Sequence, residues 1–176
     1  MRRGEGACLV CGVPLLYAEK AEEMECSFCH KKELSRAKCR EGHYICDECH
    51  AEKGVEAIMG YCSKTRIKDP VSMLFNMMED PYIYMHGPEH HIMVGAALIT
   101  AYCNAGGEVC LEEALSEMKE RGGSYPGGSC GFWGCCGAAA SVGMCMSILT
   151  KSTPLSGKSW GIINRATGRV LDAIGE

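Results

Sequence analysis

Hydrophobic positions divide this chain near Lys64–Pro70. Before that point, cysteine pairs recur with polar residues between them, and no helical period of apolar residues is sustained. After it, apolar runs are long enough for helices, and the alternation typical of strands is weak. The pattern predicts a small irregular zinc-binding module of knuckles and short hairpins over residues 1–66. It predicts an all-α domain of about four to five helices over residues 67–176.

Capping signals place the expected helices more closely. Asp69 followed by Pro70 suits an N-cap and a first helical position, and Pro81 ends that helix. Gly-Gly pairs end the next two helices. A fourth helix is rich in Gly and Ala, which predicts close packing against its neighbours. The expected helices cover residues 70–80, 88–105, 111–121, about 135–149, and 159–175.

Composition narrows the class of protein. Apolar residues make up 47% of the chain, so a buried core is expected, while the longest apolar stretch, about residues 92–102, is far too short to span a bilayer. The N-terminus leads into Cys8 without the apolar segment of a secretion signal, so we expect a cytoplasmic protein. A net charge of −4 gives no strong nucleic-acid signal and no attraction to acidic membranes.

The 14 cysteines change the picture most. Eight Cys and His residues form four close pairs, and two residues of a CxxC turn can bind one metal ion. Eight such ligands supply two closed tetrahedral sites, so two zinc ions in structural roles are expected. Binding zinc can contribute on the order of 10 kcal/mol to folding a segment this poor in large apolar side chains. The predicted ligands are Cys8, Cys11, Cys26, Cys29, Cys39, His43, Cys46 and Cys49.

The pairing of these ligands has two solutions. Sequential use would put the first two pairs on one metal and the last two on the other. Interleaved use would join the first pair to the third and the second to the fourth, and the run Cys39-x3-His43-x2-Cys46-x2-Cys49 favours it because it resembles cross-brace modules. His50 and Cys62 are spare ligands. Redox CxxC pairs, or iron in place of zinc, are the alternatives to a zinc module.

Two segments of the second half carry further candidate chemistry. In the first, His86 and His90 can bind a metal or a substrate at a predicted helix start, and Glu89 can act as a general base. The second is a glycine-rich turn leading into a small-residue helix, where a helix N-terminus favours the thiolate form of a cysteine. There Cys130 and Cys135 are candidate catalytic residues, and Cys130, Cys135 and Cys136 are candidate ligands of iron or an iron–sulfur cluster.

The stretches CLVCG, CREGHYICDECH, MHGPEHH, AYCNAGG and PGGSCGFWGCCGAA resemble an uncharacterised cysteine-rich domain family of anaerobic archaea and bacteria, found alone or fused to radical S-adenosylmethionine proteins. The resemblance covers nearly the whole chain and implies no particular reaction. It implies a further Cys-Cys segment beyond the last helix, and a C-terminal site that used its ligands would be incomplete in this sequence. In composition, the glycine-rich helix starts are also similar to iron–sulfur serine dehydratases and cysteine desulfidases.

Three functions follow as hypotheses. The first is a metal-dependent enzyme acting on a small molecule, of the lyase, sulfur-transfer or one-carbon-transfer type, with structural zinc at the N-terminus. The second is a non-catalytic zinc module that binds a protein or RNA partner, and the third is an iron–sulfur redox protein. A small-molecule substrate, a protein partner and a homo-oligomer are all compatible with the sequence, which points to no membrane association.

Overall fold

The computed structural model describes residues 6–83 and 87–175. In that part of the chain a two-stranded antiparallel sheet precedes seven helices. The elements are β1 (Leu15–Glu25), β2 (Lys32–Cys39), α1 (Asp47–Cys62), α2 (Pro70–Met77), α3 (His90–Asn104), α4 (Leu111–Gly123), α5 (Ser129–Phe132), α6 (Gly137–Leu149) and α7 (Gly157–Gly175).

The sheet is a long hairpin that has little core of its own. Leu15 pairs with Cys39 at its open end and Glu25 pairs with Lys32 near its turn, with an irregularity in register between Tyr17 and Glu22. Most of its side chains are exposed or half-buried on both faces. A hairpin this exposed is marginal in water by itself. Its stability must therefore come from what holds its two ends.

Helix α1 corrects the sequence prediction, which expected no helix before Lys64. Cys46 is its N-cap and accepts a hydrogen bond from the Cys49 amide, while acidic side chains occupy the first turn, where the helix dipole favours them. Its buried residues, Gly54, Ile58 and Cys62, are four positions apart and lie on one face. Ile58 and Cys62 belong to the core of the helical part, so α1 connects that core to the cysteine-rich segment.

The five helices expected after Lys64 are all present, and the sequence missed only the single turn α5 among the described residues there. Asp69 caps α2 by accepting from the amides of Val71 and Ser72, as its spacing predicts. Met73 and Met77 of that helix are buried in the core.

Helix α3 is central and packs against α1, α2, α4 and α6. Small residues allow α3 and α6 to approach closely. The hydrogen bond from the Gly95 amide to Ser141 Oγ, at 2.8 Å, shows this close approach. The expected close packing of the Gly/Ala-rich helix is thus confirmed. None of the helices in residues 6–83 and 87–175 combines the length and apolar character needed to cross a membrane.

Candidate metal centres and the adjoining cavity

Two groups of four side chains bring their ligand atoms within 4.8 Å of one another in the cysteine-rich segment. We call them site 1 and site 2. Together they contain all eight ligands expected from the sequence, grouped in the interleaved order. Site 1 is Cys8, Cys11, Cys39 and His43, and site 2 is Cys26, Cys29, Cys46 and Cys49.

The hairpin explains why the ligand pairs interleave. The Leu15–Cys39 pairing brings the start of β1 beside the end of β2, so the turn at Cys8 and Cys11 lies near Cys39 and His43. The second CxxC pair forms the hairpin turn itself, where the Cys26 amide donates to the Lys31 carbonyl at 2.9 Å. The chain after His43 then reaches this turn, because Ser27 donates to Tyr44 and α1 starts at Cys46. Each site therefore fastens one end of the hairpin.

The spacing within each group matches a single tetrahedral ion. Two sulfurs on one zinc ion, each about 2.3 Å from the metal, are about 3.8 Å apart. Cys11 Sγ lies 3.8 Å from Cys39 Sγ, and Cys29 Sγ lies 3.6 Å from Cys46 Sγ. His43 presents Nδ1 to site 1, at 3.5 Å from Cys39 Sγ. Both groups can therefore hold a metal ion such as zinc without rearrangement.

The backbone turns at the two CxxC pairs direct amide N–H groups toward the cysteine sulfurs. The turn after Cys11 has Gly12 at φ 76°, and the equivalent position after Cys29 is His30 at φ 61°, a left-handed conformation that is uncommon for a residue with a side chain. The amides of Phe28 and Cys46 lie 3.5 and 3.4 Å from Cys26 Sγ and donate to it. Burial alone raises the pKa of Cys26, but these amides and that of Cys29 outweigh burial and lower the pKa to about 6.

The pKa values of two other thiols of site 2, Cys46 and Cys49, shift in the opposite direction. Burial raises the pKa of Cys46, and contact with the sulfurs of Cys26 and Cys29 raises it further. The pKa of Cys49 is raised by burial first and then by the same neighbouring sulfurs. One thiolate thus opposes ionisation of the next. A bound dication removes that opposition, so metal binding and loss of the thiol protons are coupled.

A cavity of about 830 Å³ lies between the cysteine-rich segment and the start of α3. One wall comes from the segment around Cys8, from β2 and from the first turns of α1. The other wall comes from Gly87, Pro88 and Glu89. The acidic, basic and histidine side chains of its lining are Glu33, Arg36, His43, Asp47, His50 and Glu89.

Glu89 is the buried carboxylate of this cavity, with 1% of its surface exposed. Its carboxylate folds over Gly87, where an added Cβ would lie 2.1 Å from Oε1, and its Cγ approaches Gly54 of α1. An added Cβ on Gly54 would also lie 2.8 Å from the Tyr82 carbonyl oxygen, so this position requires glycine, whereas a Cβ on Gly87 would displace the Glu89 carboxylate. Glu89 is also the N-cap residue of α3. Burial lowers the pKa of the half-buried His50, while the charge of Glu89 opposes that shift, so these two groups interact electrostatically.

The structure places the predicted site residues of the C-terminal part in different surroundings. His86 lies outside the described residues. Glu89 lines the cavity, and His90 is half-buried as the first residue of α3. Cys130 and Cys135 are exposed and Cys136 is half-buried in the loop before α6, and none of the three is among the described residues that line the cavity.

The two segments nevertheless meet, through residues that the sequence argument did not single out. The ring of His91 packs edge-on against Tyr125, with ring centroids 5.0 Å apart, and an added Cβ on Gly137 would lie 2.0 Å from His91 Cδ2. Tyr125 Oη donates to the carbonyl of Cys135 at 3.0 Å. His91 belongs to the same histidine-rich run as His90, and that run is the sequence signal that could have identified it. No sequence signal pointed to Tyr125.

The comparisons add the family but no activity. A family model described as a family of unknown function (DUF5714) matches residues 58–176, which is more than half of the chain, so the chain belongs to that family. No curated protein matches the chain. No solved structure matches it either. The match begins inside α1, after the eight ligands of sites 1 and 2.

Proposed function

We propose that this DUF5714 member is a zinc protein that acts on a small molecule in the cavity beside its metal sites, with both zinc ions in structural roles. The observation that carries the proposal is a buried carboxylate, Glu89, in a cavity whose opposite wall includes Cys8 and His43 of site 1 and the first turns of α1, which follow the site 2 ligand Cys46. The zinc ions hold that wall in place, and the cavity supplies the chemistry.

The ligand sets favour zinc in structural roles. Three cysteines with one histidine, and four cysteines, are the usual sets of closed structural zinc sites. Catalytic zinc keeps a position for water or substrate, whereas each group here already offers four protein ligands. The hairpin also needs such support, because its two faces are largely exposed.

The cavity favours acid–base chemistry on a bound small molecule. A volume of about 830 Å³ is within the range of ligand pockets, and such pockets combine a shaped enclosure with a few converging polar groups. Glu89 is a carboxylate shielded from bulk water, and His50 is an imidazole on the facing wall. A buried carboxylate beside an imidazole can accept and return a proton during a lyase or transfer step.

Metal analysis tests the structural part of this proposal. Protein purified without added metal should contain two zinc ions per chain, and a strong chelator should remove them with loss of the circular dichroism signal. Visible absorption from iron in these sites would contradict the zinc assignment. Retention of the native fold after complete removal of the metal would contradict the structural role.

A substitution at Glu89 tests the role of the cavity. A panel of small metabolites is screened for compounds that raise the melting temperature of the wild-type protein. Glu89→Gln conserves shape and removes the charge, so it should keep two zinc ions and lose the response to those compounds. Glu112→Gln, at an exposed position of α4, is the matched control and should respond as the wild type does. Failure to find any compound that distinguishes the two variants would refute the cavity as the functional site.

A further inference from the structure

The charged side chains that line the cavity are mostly acidic. Three carboxylates contribute to its walls, Glu33 from β2, Asp47 from α1 and Glu89 from the N-cap of α3. Arg36 is the one Lys or Arg among the described residues of the lining, and its side chain is exposed to solvent. Because the carboxylates come from three separate elements, the negative charge surrounds the cavity instead of lying at one point of its surface.

Glu33 is held in place and keeps its negative charge. The hydroxyl of Tyr44 donates to it at 2.5 Å, and Lys31 lies 3.2 Å from its carboxylate. The same lysine also lies 2.7 Å from Glu48, so one positive charge is shared between two carboxylates. These charges leave a net negative charge beside the cavity.

Asp47 and Glu89 lie at different points along the α1 wall. Glu89 packs on Gly54, where its Cγ is 3.4 Å from the position of an added Cβ. Asp47 is seven residues before Gly54 on the same face of the helix, which places the two residues of α1 about 10 Å apart along its axis. Among the described residues, the carboxylates of the cavity belong to no group of three ligand atoms within 4.8 Å of one another. Their spacing therefore suits an extended molecule better than a single metal ion.

The proposed zinc sites make the same wall more negative. Three thiolates on a zinc dication leave one negative charge at site 1, and four thiolates leave two at site 2. Cys8 and His43 of site 1 line the cavity directly. An anionic molecule in the cavity would therefore meet charges of its own sign on most sides.

The remaining lining suits a carbon chain with a positive end. Leu15, Ile45 and Pro88 are among its apolar residues, which offer contacts to hydrocarbon. Tyr17 and Tyr44 are its aromatic residues, and the faces of aromatic rings attract ammonium groups. Apolar and aromatic surface of this kind has no use in binding a hydrated metal ion.

We infer that the cavity binds a small aliphatic amine in its protonated form, with Glu89 as the buried counter-ion. The inference rests on the proposed function, because it names the substrate class of the same cavity. Burial makes the Glu89 carboxylate more effective than the other two, since a charge pair shielded from water is stronger than an exposed one.

Calorimetric titration with three five-carbon probes tests the sign of the ligand charge. Full-length protein with zinc bound is titrated with cadaverine, which ends in two amines, with pentanediol, and with the dicarboxylate glutarate. At about pH 8 the amines are charged and histidines of ordinary pKa are neutral. Cadaverine should bind, and added salt should weaken its binding. Pentanediol, glutarate and magnesium chloride at the same ionic strength should neither bind nor displace it.

Four variants relate the binding to the residues of the lining. Glu89→Gln should keep two zinc ions and bind cadaverine roughly ten- to a hundredfold more weakly. Asp47→Asn should also weaken it, and this variant decides the matter if Glu89→Gln does not fold. Arg36→Gln removes the opposing charge and should tighten binding, which the loss of a packing contact would not do. Glu112→Gln, on exposed α4 surface, should bind as the wild type does.

The outcomes separate this inference from the proposed function. A neutral or anionic ligand that requires Glu89, whether a probe or a compound from the metabolite screen, would overturn the inference and leave the cavity as the functional site. Displacement of cadaverine by magnesium would overturn it in favour of a metal ion. Cadaverine binding that is equal in the wild type, Glu89→Gln and Asp47→Asn would place the amine elsewhere and overturn it too. If neither the probes nor the screen gives a ligand that requires Glu89, both the inference and the proposed function fail.

Discussion

The interleaved grouping of the ligands makes a prediction that depends on which two cysteines are removed together. Cys11 and Cys39 belong to site 1, with sulfurs 3.8 Å apart, whereas Cys11 and Cys29 belong to different sites. A Cys11→Ala, Cys39→Ala protein should therefore keep site 2 intact and bind one zinc ion tightly. A Cys11→Ala, Cys29→Ala protein should leave three ligands at each site and bind neither ion tightly.

The magnitude of the effect is large. A structural zinc site can contribute roughly 10–16 kcal/mol of apparent binding free energy, which is comparable to the roughly 5–15 kcal/mol that stabilises a typical domain. Weakening both sites should therefore unfold the hairpin, while emptying only site 1 should leave the turn around Cys26 and the start of α1 ordered. Two variants with the same number of lost cysteines should thus differ by one tightly bound zinc ion per chain.

Competition with a chromophoric chelator measures this difference directly. The zinc that each variant retains against the chelator is counted, and circular dichroism in the same samples reports the fold. Sequential pairing would reverse the result, because Cys11 and Cys29 would then share a site and Cys11 and Cys39 would not. That reversal would refute the interleaved arrangement, and equal zinc retention in the two variants would refute separate four-ligand sites.

Two further predictions concern the helical part. An added Cβ at Gly122 would lie 2.8 Å from a backbone carbonyl oxygen of α3, whereas one at Gly123 meets nothing within 4 Å. In urea denaturation, Gly122→Ala should therefore cost about 1–3 kcal/mol, and Gly123→Ala should be neutral or stabilise by up to about 1 kcal/mol; equal effects would contradict the α3–α4 contact. Burial raises the pKa of Cys62 from its usual 9 to about 11, so the folded state holds this proton longer than the unfolded state does. Stability should fall as pH rises from about 9 to 11, by about 3 kcal/mol in full, and Cys62→Ala should flatten that fall; an unchanged slope would show that Cys62 is not its source.

Local signals predicted the helices after Lys64 well because each had a cap or a breaker beside an apolar period. Asp69 and Pro70 are an example, since both act within one turn of the helix they start. Helix α1 was missed because its buried positions are occupied partly by Gly54 and Cys62, which an apolar period does not count. The hairpin was expected only as a short element because both of its faces are exposed, so its strands do not alternate in polarity.

The candidate sites differ in how far apart their residues lie along the sequence. The eight ligands of sites 1 and 2 could be named from the sequence because each pair lies within one turn. Their grouping needed the register of the hairpin. The cavity joins residues from Gly6 to Glu89, and the contact of His91 with Gly137 joins α3 to α6. No local pattern encodes such contacts. The sequence therefore identified Glu89 and the cysteines at 130, 135 and 136 as candidates, but it did not show that Glu89 lines the cavity and the three cysteines do not.

Helix α1 connects proposed zinc site 2 to the wall of the proposed cavity. Its first turn carries the ligands Cys46 and Cys49, and Gly54, eight residues after Cys46, lies against Glu89 and the Tyr82 carbonyl. Loss of zinc from site 2 would release the first turn of α1 and with it the wall that faces Glu89. A small molecule that binds the intact cavity must then favour the zinc-bound form, and zinc must favour its binding by the same factor. Metal release by a chelator should therefore slow when the ligand is present, and Glu89→Gln should abolish that protection while leaving zinc release in the absence of ligand unchanged.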